Sequence, residues 1–74
     1  MESAHKFVIC VNIEGYAASL ELRKLYEVLP DKAAAKHGQL RIIDESGDDY
    51  LYPKSYFASV ELSALVADKI LHAA

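Results

Sequence analysis

A chain of 74 residues, 53% apolar and 26% charged, has room for one small folded domain and too much apolar surface for a disordered segment. Its net charge of −3, with eight Lys and Arg residues scattered along it, disfavours the concentrated basic face that a phosphate backbone needs. The single cysteine excludes a disulfide framework within the chain, and the longest apolar run, residues 7–11, is far short of the roughly 20 residues that cross a bilayer.

The opening Met-Glu-Ser-Ala-His-Lys lacks the basic and apolar regions of an export signal. The expectation is one cytoplasmic domain over residues 1–74, without a membrane anchor and monomeric rather than homo-oligomeric.

Residues 6–13 read as the first strand, rich in β-branched side chains. Phe7, Ile9, Val11 and Ile13 fall on one face and Val8, Cys10 and Asn12 on the other. Both faces are largely apolar, so both call for cover. Glu14-Gly15 ends this strand. Residues 14–23 form a long excursion that pattern alone assigns neither to a helical turn nor to an irregular strand.

A second strand covers 24–29, with Tyr26 and Val28 on one face, and Pro30 stops it. Residues 31–37 carry short helix signals: Asp31 at the start, three alanines, Lys36 and His37 at the end, and Gly38 as a cap. A third strand covers 39–44, with Leu40 and Ile42 on one face. Glu45-Ser46-Gly47-Asp48 is turn chemistry, and 49–52 returns as the fourth strand of a hairpin. Pro53-Lys54-Ser55 makes a tight turn before a short fifth strand over 56–60. Ser63 caps a closing helix over 64–72, in which Leu62, Val66 and Ile70 line one stripe.

Five short strands and little helix predict a mainly β domain. The expected architecture is a small five-stranded antiparallel barrel over about 6–61, with a C-terminal α-helix over about 63–72 covering the first strand.

The densest chemical signal is Tyr50-Leu-Tyr-Pro-Lys-Ser-Tyr-Phe57, which holds four of the seven aromatic residues. Preceded by Gly47-Asp48-Asp49, it resembles the C-terminal signature of Src-homology-3 domains: a glycine, an aliphatic-aromatic pair, a proline, two polar residues and a tyrosine before a last strand. The resemblance implies that family's barrel. It also implies that Pro53 and Tyr56 occupy positions which, in the family, help form grooves for extended proline-rich peptides. The family's tryptophan has no counterpart here, and Ser55 stands where the family has asparagine. The chain also resembles a group of short bacterial proteins without an assigned activity. They share stretches close to Leu-Tyr-Glu-Val-Leu-Pro-Asp and Arg-Ile-Ile-Asp-Glu-Ser-Gly-Asp-Asp-Tyr-Leu-Tyr-Pro.

Two roles fit the aromatic cluster. Tyr50, Tyr52, Pro53 and Tyr56 either form a surface that binds a protein or peptide, or pack as structure. Alternation puts Tyr50 and Tyr52 on one face of their strand; with Leu51 turned to the core, both tyrosines face out.

The acids Asp44, Glu45, Asp48 and Asp49 lack the alternating ligand pattern of a calcium loop and read as a solvated turn. Cys10 within Val-Ile-Cys-Val reads as a small buried hydrophobe rather than a nucleophile. One cysteine and three dispersed histidines do not make a zinc site. The sequence therefore predicts a non-catalytic interaction module with no metal or cofactor. The alternatives are a nucleic-acid-linked regulator using Lys6, Arg23, Lys24 and Arg41, or an accessory subunit of an enzyme.

Overall fold

A computed structural model of the chain describes residues 6–73. Strand β1 (Lys6–Cys10) pairs antiparallel with β2 (Leu25–Leu29), placing Val8 opposite Tyr26. It ends three residues before the expected boundary. The side chain of Asn12 accepts from the Glu14 N–H (2.9 Å), a local bond that turns the chain out of the sheet. The excursion to β2 is irregular. Ser19 and Leu20 N–H groups both return to the Tyr16 carbonyl, making one tight turn that drives Leu20 into the core at 1% exposure.

Helix α1 (Lys32–Lys36) follows β2. Asp31 caps it by accepting from Ala34 N–H, and Gly38 leaves it with φ of +69°, a conformation that favours glycine. Strands β3 (Gln39–Ile43) and β4 (Asp49–Pro53) form the expected hairpin, with Gly47 at φ +88° in its turn. A 3-10 turn over Lys54–Tyr56 leads into β5 (Phe57–Ser59), which pairs antiparallel with β1. Helix α2 (Ala64–Leu71) closes the described chain, capped by Ser63 through the Val66 N–H.

The strands form one antiparallel sheet in the order β4-β3-β2-β1-β5. β4 and β5 are its edges, so the sheet is open rather than closed on itself. The radius of gyration of 12.0 Å is close to the roughly 11 Å of a compact chain of this length. The core joins Val8, Cys10, Leu20, Tyr26, Ile42 and Tyr52. Cys10 is fully buried, with its thiol 3.3 Å from the Asn12 carbonyl.

Phe7, on the other face of β1, is also buried, as a doubly apolar strand requires. It shares a cavity wall with Leu62 and Ala67, so the helical segment supplies part of its cover. That cover is thin. Ala67, Ile70 and Leu71 are half-buried, no residue of α2 is fully buried, and Val66 of the expected stripe is 43% exposed. No helix among the described residues is long and apolar enough to cross a membrane.

Candidate functional site

The register of the β3–β4 hairpin decides where the tyrosines point. Leu40 pairs with Tyr52 and Ile42 with Tyr50, and paired residues share a face. Ile42 is fully buried, so Tyr50 and Tyr52 lie on the core side and Leu51 on the other. The condition for an outward pair, Leu51 turned to the core, is therefore not met. Tyr52 is 1% exposed and belongs to the core, out of reach of a partner's surface. Tyr50 projects from the same face nearer the turn, where less chain covers it, and stays 57% exposed.

Four tyrosine rings form a continuous edge-to-face row. Tyr50 meets Tyr52 at 5.3 Å between centroids, Tyr52 meets Tyr16 at 4.9 Å, and Tyr16 meets Tyr56 at 5.9 Å. Such contacts set the electropositive ring edge against the electronegative face of the next ring. Phe57 gives Tyr52 its third ring contact, at 6.2 Å. Tyr56 is anchored across the sheet edge, its hydroxyl donating to the Glu14 carbonyl (2.8 Å) and its own carbonyl accepting from Val11 N–H. Pro53 does not join the row by alternation. It lies on the other face of β4, opposite Gln39, and its φ of −60° launches the 3-10 turn.

The sequence reading missed Tyr16, because the excursion carrying it has no periodicity to fix its direction. It also missed the role of the acidic turn. The Tyr52 hydroxyl donates to Asp44 Oδ2 at 2.6 Å, and Ser19 Oγ lies 2.9 Å from the Tyr52 hydroxyl oxygen. The Tyr26 hydroxyl donates to Glu45 Oε2 at 2.5 Å and accepts from Glu21 N–H at 2.8 Å. Glu45 also takes Lys24 Nζ at 2.6 Å, and its N–H donates to the Ser19 carbonyl. Asp44 and Glu45 thus tie the excursion to the hairpin and are not merely solvated. Two buried phenols on acceptor-only carboxylates are a pattern that sequence cannot pair without the register.

The electrostatics follow from these contacts. Burial, reinforced by the Asp44 carboxylate, pushes the Tyr52 hydroxyl up to about 12. Burial and Glu45 push the Tyr26 hydroxyl further in the same direction. Burial alone would raise Asp44, but hydrogen bonds from Ser46 and Tyr52 outweigh it and hold the carboxyl below its usual range. Lys24 and then Tyr26 lower Glu45 in the same way.

Arg41 bridges Asp31 (2.8 Å) and Asp49 (2.7 Å), and Lys24 is paired with Glu45, so two of the four cations named for a nucleic-acid face are already partnered. No group of three or more metal-type side chains is assembled among the described residues. His37 and His72 close α1 and α2 through their backbone N–H groups; His5 lies outside the described residues. Comparison with protein-family models, with curated proteins and with solved structures finds no match to this chain.

Proposed function

We propose that the protein is a small non-catalytic interaction module whose tyrosine face takes a segment of a protein or peptide. The observation that carries this reading is the row Tyr50–Tyr52–Tyr16–Tyr56, with an exposed ring at Tyr50 and half-buried rings at Tyr16 and Tyr56. Tyrosine offers a large contact area with a polar tip at low entropic cost, the combination enriched at binding hot spots. The buried Tyr52 touches both Tyr50 and Tyr16 and so backs the row. The surface is therefore Tyr16, Tyr50 and Tyr56, with Pro53 at its border shaping the turn.

A Src-homology-3-like barrel whose edge strands β4 and β5 stay unpaired with each other is the architecture we infer for it. The strand order, the long excursion after β1 and the 3-10 turn between β4 and β5 support that reading. A cytoplasmic setting accords with one unpaired, buried thiol.

Titration of 15N-labelled protein with a library of extended, proline-containing peptides tests the assignment. Ring and amide signals of Tyr16, Tyr50 and Tyr56 should move together and saturate. If binding peptides shift other residues while these three stay still, the surface is assigned wrongly. Tyr50→Ala should weaken a bound peptide about tenfold, the cost of losing one hot-spot ring.

A further inference from the structure

A cavity at the end of the sheet remote from the acidic turn takes no part in the tyrosine surface. Its volume of about 450 Å³ lies within the range of roughly 300–1,000 Å³ found for small-molecule sites. Phe7, Val8, Val28, Leu40, Phe57 and Val60 give it apolar walls drawn from four of the five strands and the segment after β5. A second cavity shares Lys6, Phe7, Val60 and Glu61 with it and is completed by Leu62 and Ala67. The two cavities thus lie side by side between the strands and α2, the thinly packed helix.

The polar groups on the wall are Lys6, Lys54, Ser59 and Glu61. Neither lysine forms an ion pair among the described residues, whereas Lys24 and Arg41 do. The Lys54 N–H donates to the Gly38 carbonyl at 2.9 Å, seating Lys54 beside the C-terminal end of α1, where Lys36 stands. The acids of the β3–β4 turn lie at the opposite end of that hairpin. Glu61 offsets one of the two cavity lysines, which leaves one positive charge to be matched. An apolar body with a single negative head meets both demands. A neutral amphiphile lacks the charge match, and a cationic one opposes it.

We propose that this cavity binds a medium-chain amphipathic carboxylate, with its alkyl chain between Val8, Val28, Leu40 and Phe57, which share the core face of the sheet, and its carboxylate at Lys6 and Lys54. The site stands apart from the tyrosine surface and does not depend on it.

The test is titration of the 15N-labelled full chain with octanoate, octylamine and octanol at neutral pH, below the concentrations at which they aggregate. Octanoate should produce saturable shifts at the amides of Phe7, Val8, Val28, Leu40 and Phe57. Affinity should rise about fourfold for each methylene added from butanoate to octanoate, as the burial of each CH₂ predicts. Octylamine should bind at least tenfold more weakly. Lys54→Glu, at an exposed position, should lower octanoate affinity about fivefold or more and leave octanol unchanged. Should that variant fail to fold, Lys6→Glu carries the same expectation. Absent or non-saturating shifts at the cavity amides overturn the proposal. So does octylamine binding as tightly as octanoate, or an octanoate affinity indifferent to both charge reversals.

Discussion

Tyr52 shows how one residue serves two systems. Its ring fills the core, while its hydroxyl meets Asp44 and Ser19, which belong to the hairpin and to the excursion. Tyr52→Phe keeps the ring and strands two polar partners, so we expect a loss of about 1–3 kcal/mol in urea unfolding. Tyr50→Ala, at an exposed ring, should change stability by no more than about 1 kcal/mol while it weakens the proposed peptide binding. The opposite sign is expected at Arg23, the one described non-glycine residue with positive φ, at 67°. A left-handed conformation costs a side-chain-bearing residue about 1–2 kcal/mol, of which the greater freedom of glycine in the unfolded chain takes back about half. Arg23→Gly should therefore stabilise by roughly 0.5 kcal/mol, read from the same denaturation midpoint; a clear loss would mean that the guanidinium does something the backbone argument omits.

Among the elements, the two helices contrast. Both have a side-chain cap, Asp31 on α1 and Ser63 on α2. Asp31 also receives Arg41, which reaches Asp49 on β4, so removing it breaks a cap and a bridge between three elements. Ser63 serves α2 alone, and α2 contributes no fully buried residue. Each cap is worth about 1 kcal/mol to its own helix. Asp31→Ala should lower the global unfolding midpoint, whereas Ser63→Ala should fray α2 with little effect on the sheet. Hydrogen exchange separates the two: amides of α2 should lose protection in Ser63→Ala while those of β1–β3 keep it. The excursion behaves as a third element despite having no regular structure. Leu20 anchors it in the core, and Leu20→Ala should cost about 2–5 kcal/mol.

At the scale of the whole molecule, pH acts through the two phenol–carboxylate contacts and through Asp31, whose carboxyl the Ala34 N–H and then Arg41 hold below its usual range. Asp44 and Glu45 have folded-state values below their unfolded ones, so each stabilises the fold above the ordinary carboxylate range. That stability is lost as pH falls through the lowered values. Tyr52 runs the other way. Its value is raised to about 12, so its contribution is complete below the ordinary tyrosine range and is lost as pH rises towards that value. The predicted profile is a plateau with an acid limb and an alkaline limb. Denaturant midpoints across pH should show both, and Asp44→Asn with Glu45→Gln should shrink the acid one to the part that Asp31 supplies. An unchanged acid limb in that double variant would assign it to other carboxylates.

Element positions were largely legible in the sequence. The β-branched run of β1, the stop at Pro30, the turn chemistry at 45–48 and the caps Asp31 and Ser63 are local, and local sterics and hydrogen bonds decide them. So was the aromatic density around Pro53. Its direction was not. Side-chain parity says only that Tyr50 and Tyr52 share a face; the pairing of Leu40 and Ile42 across the hairpin turns that face to the core. Nor does any local rule bring Tyr16 to Tyr52 across 35 intervening positions, or Glu45 to Tyr26. Those contacts are made when the sheet forms and the excursion folds back on it, and they alone separate the exposed tyrosines from the buried one.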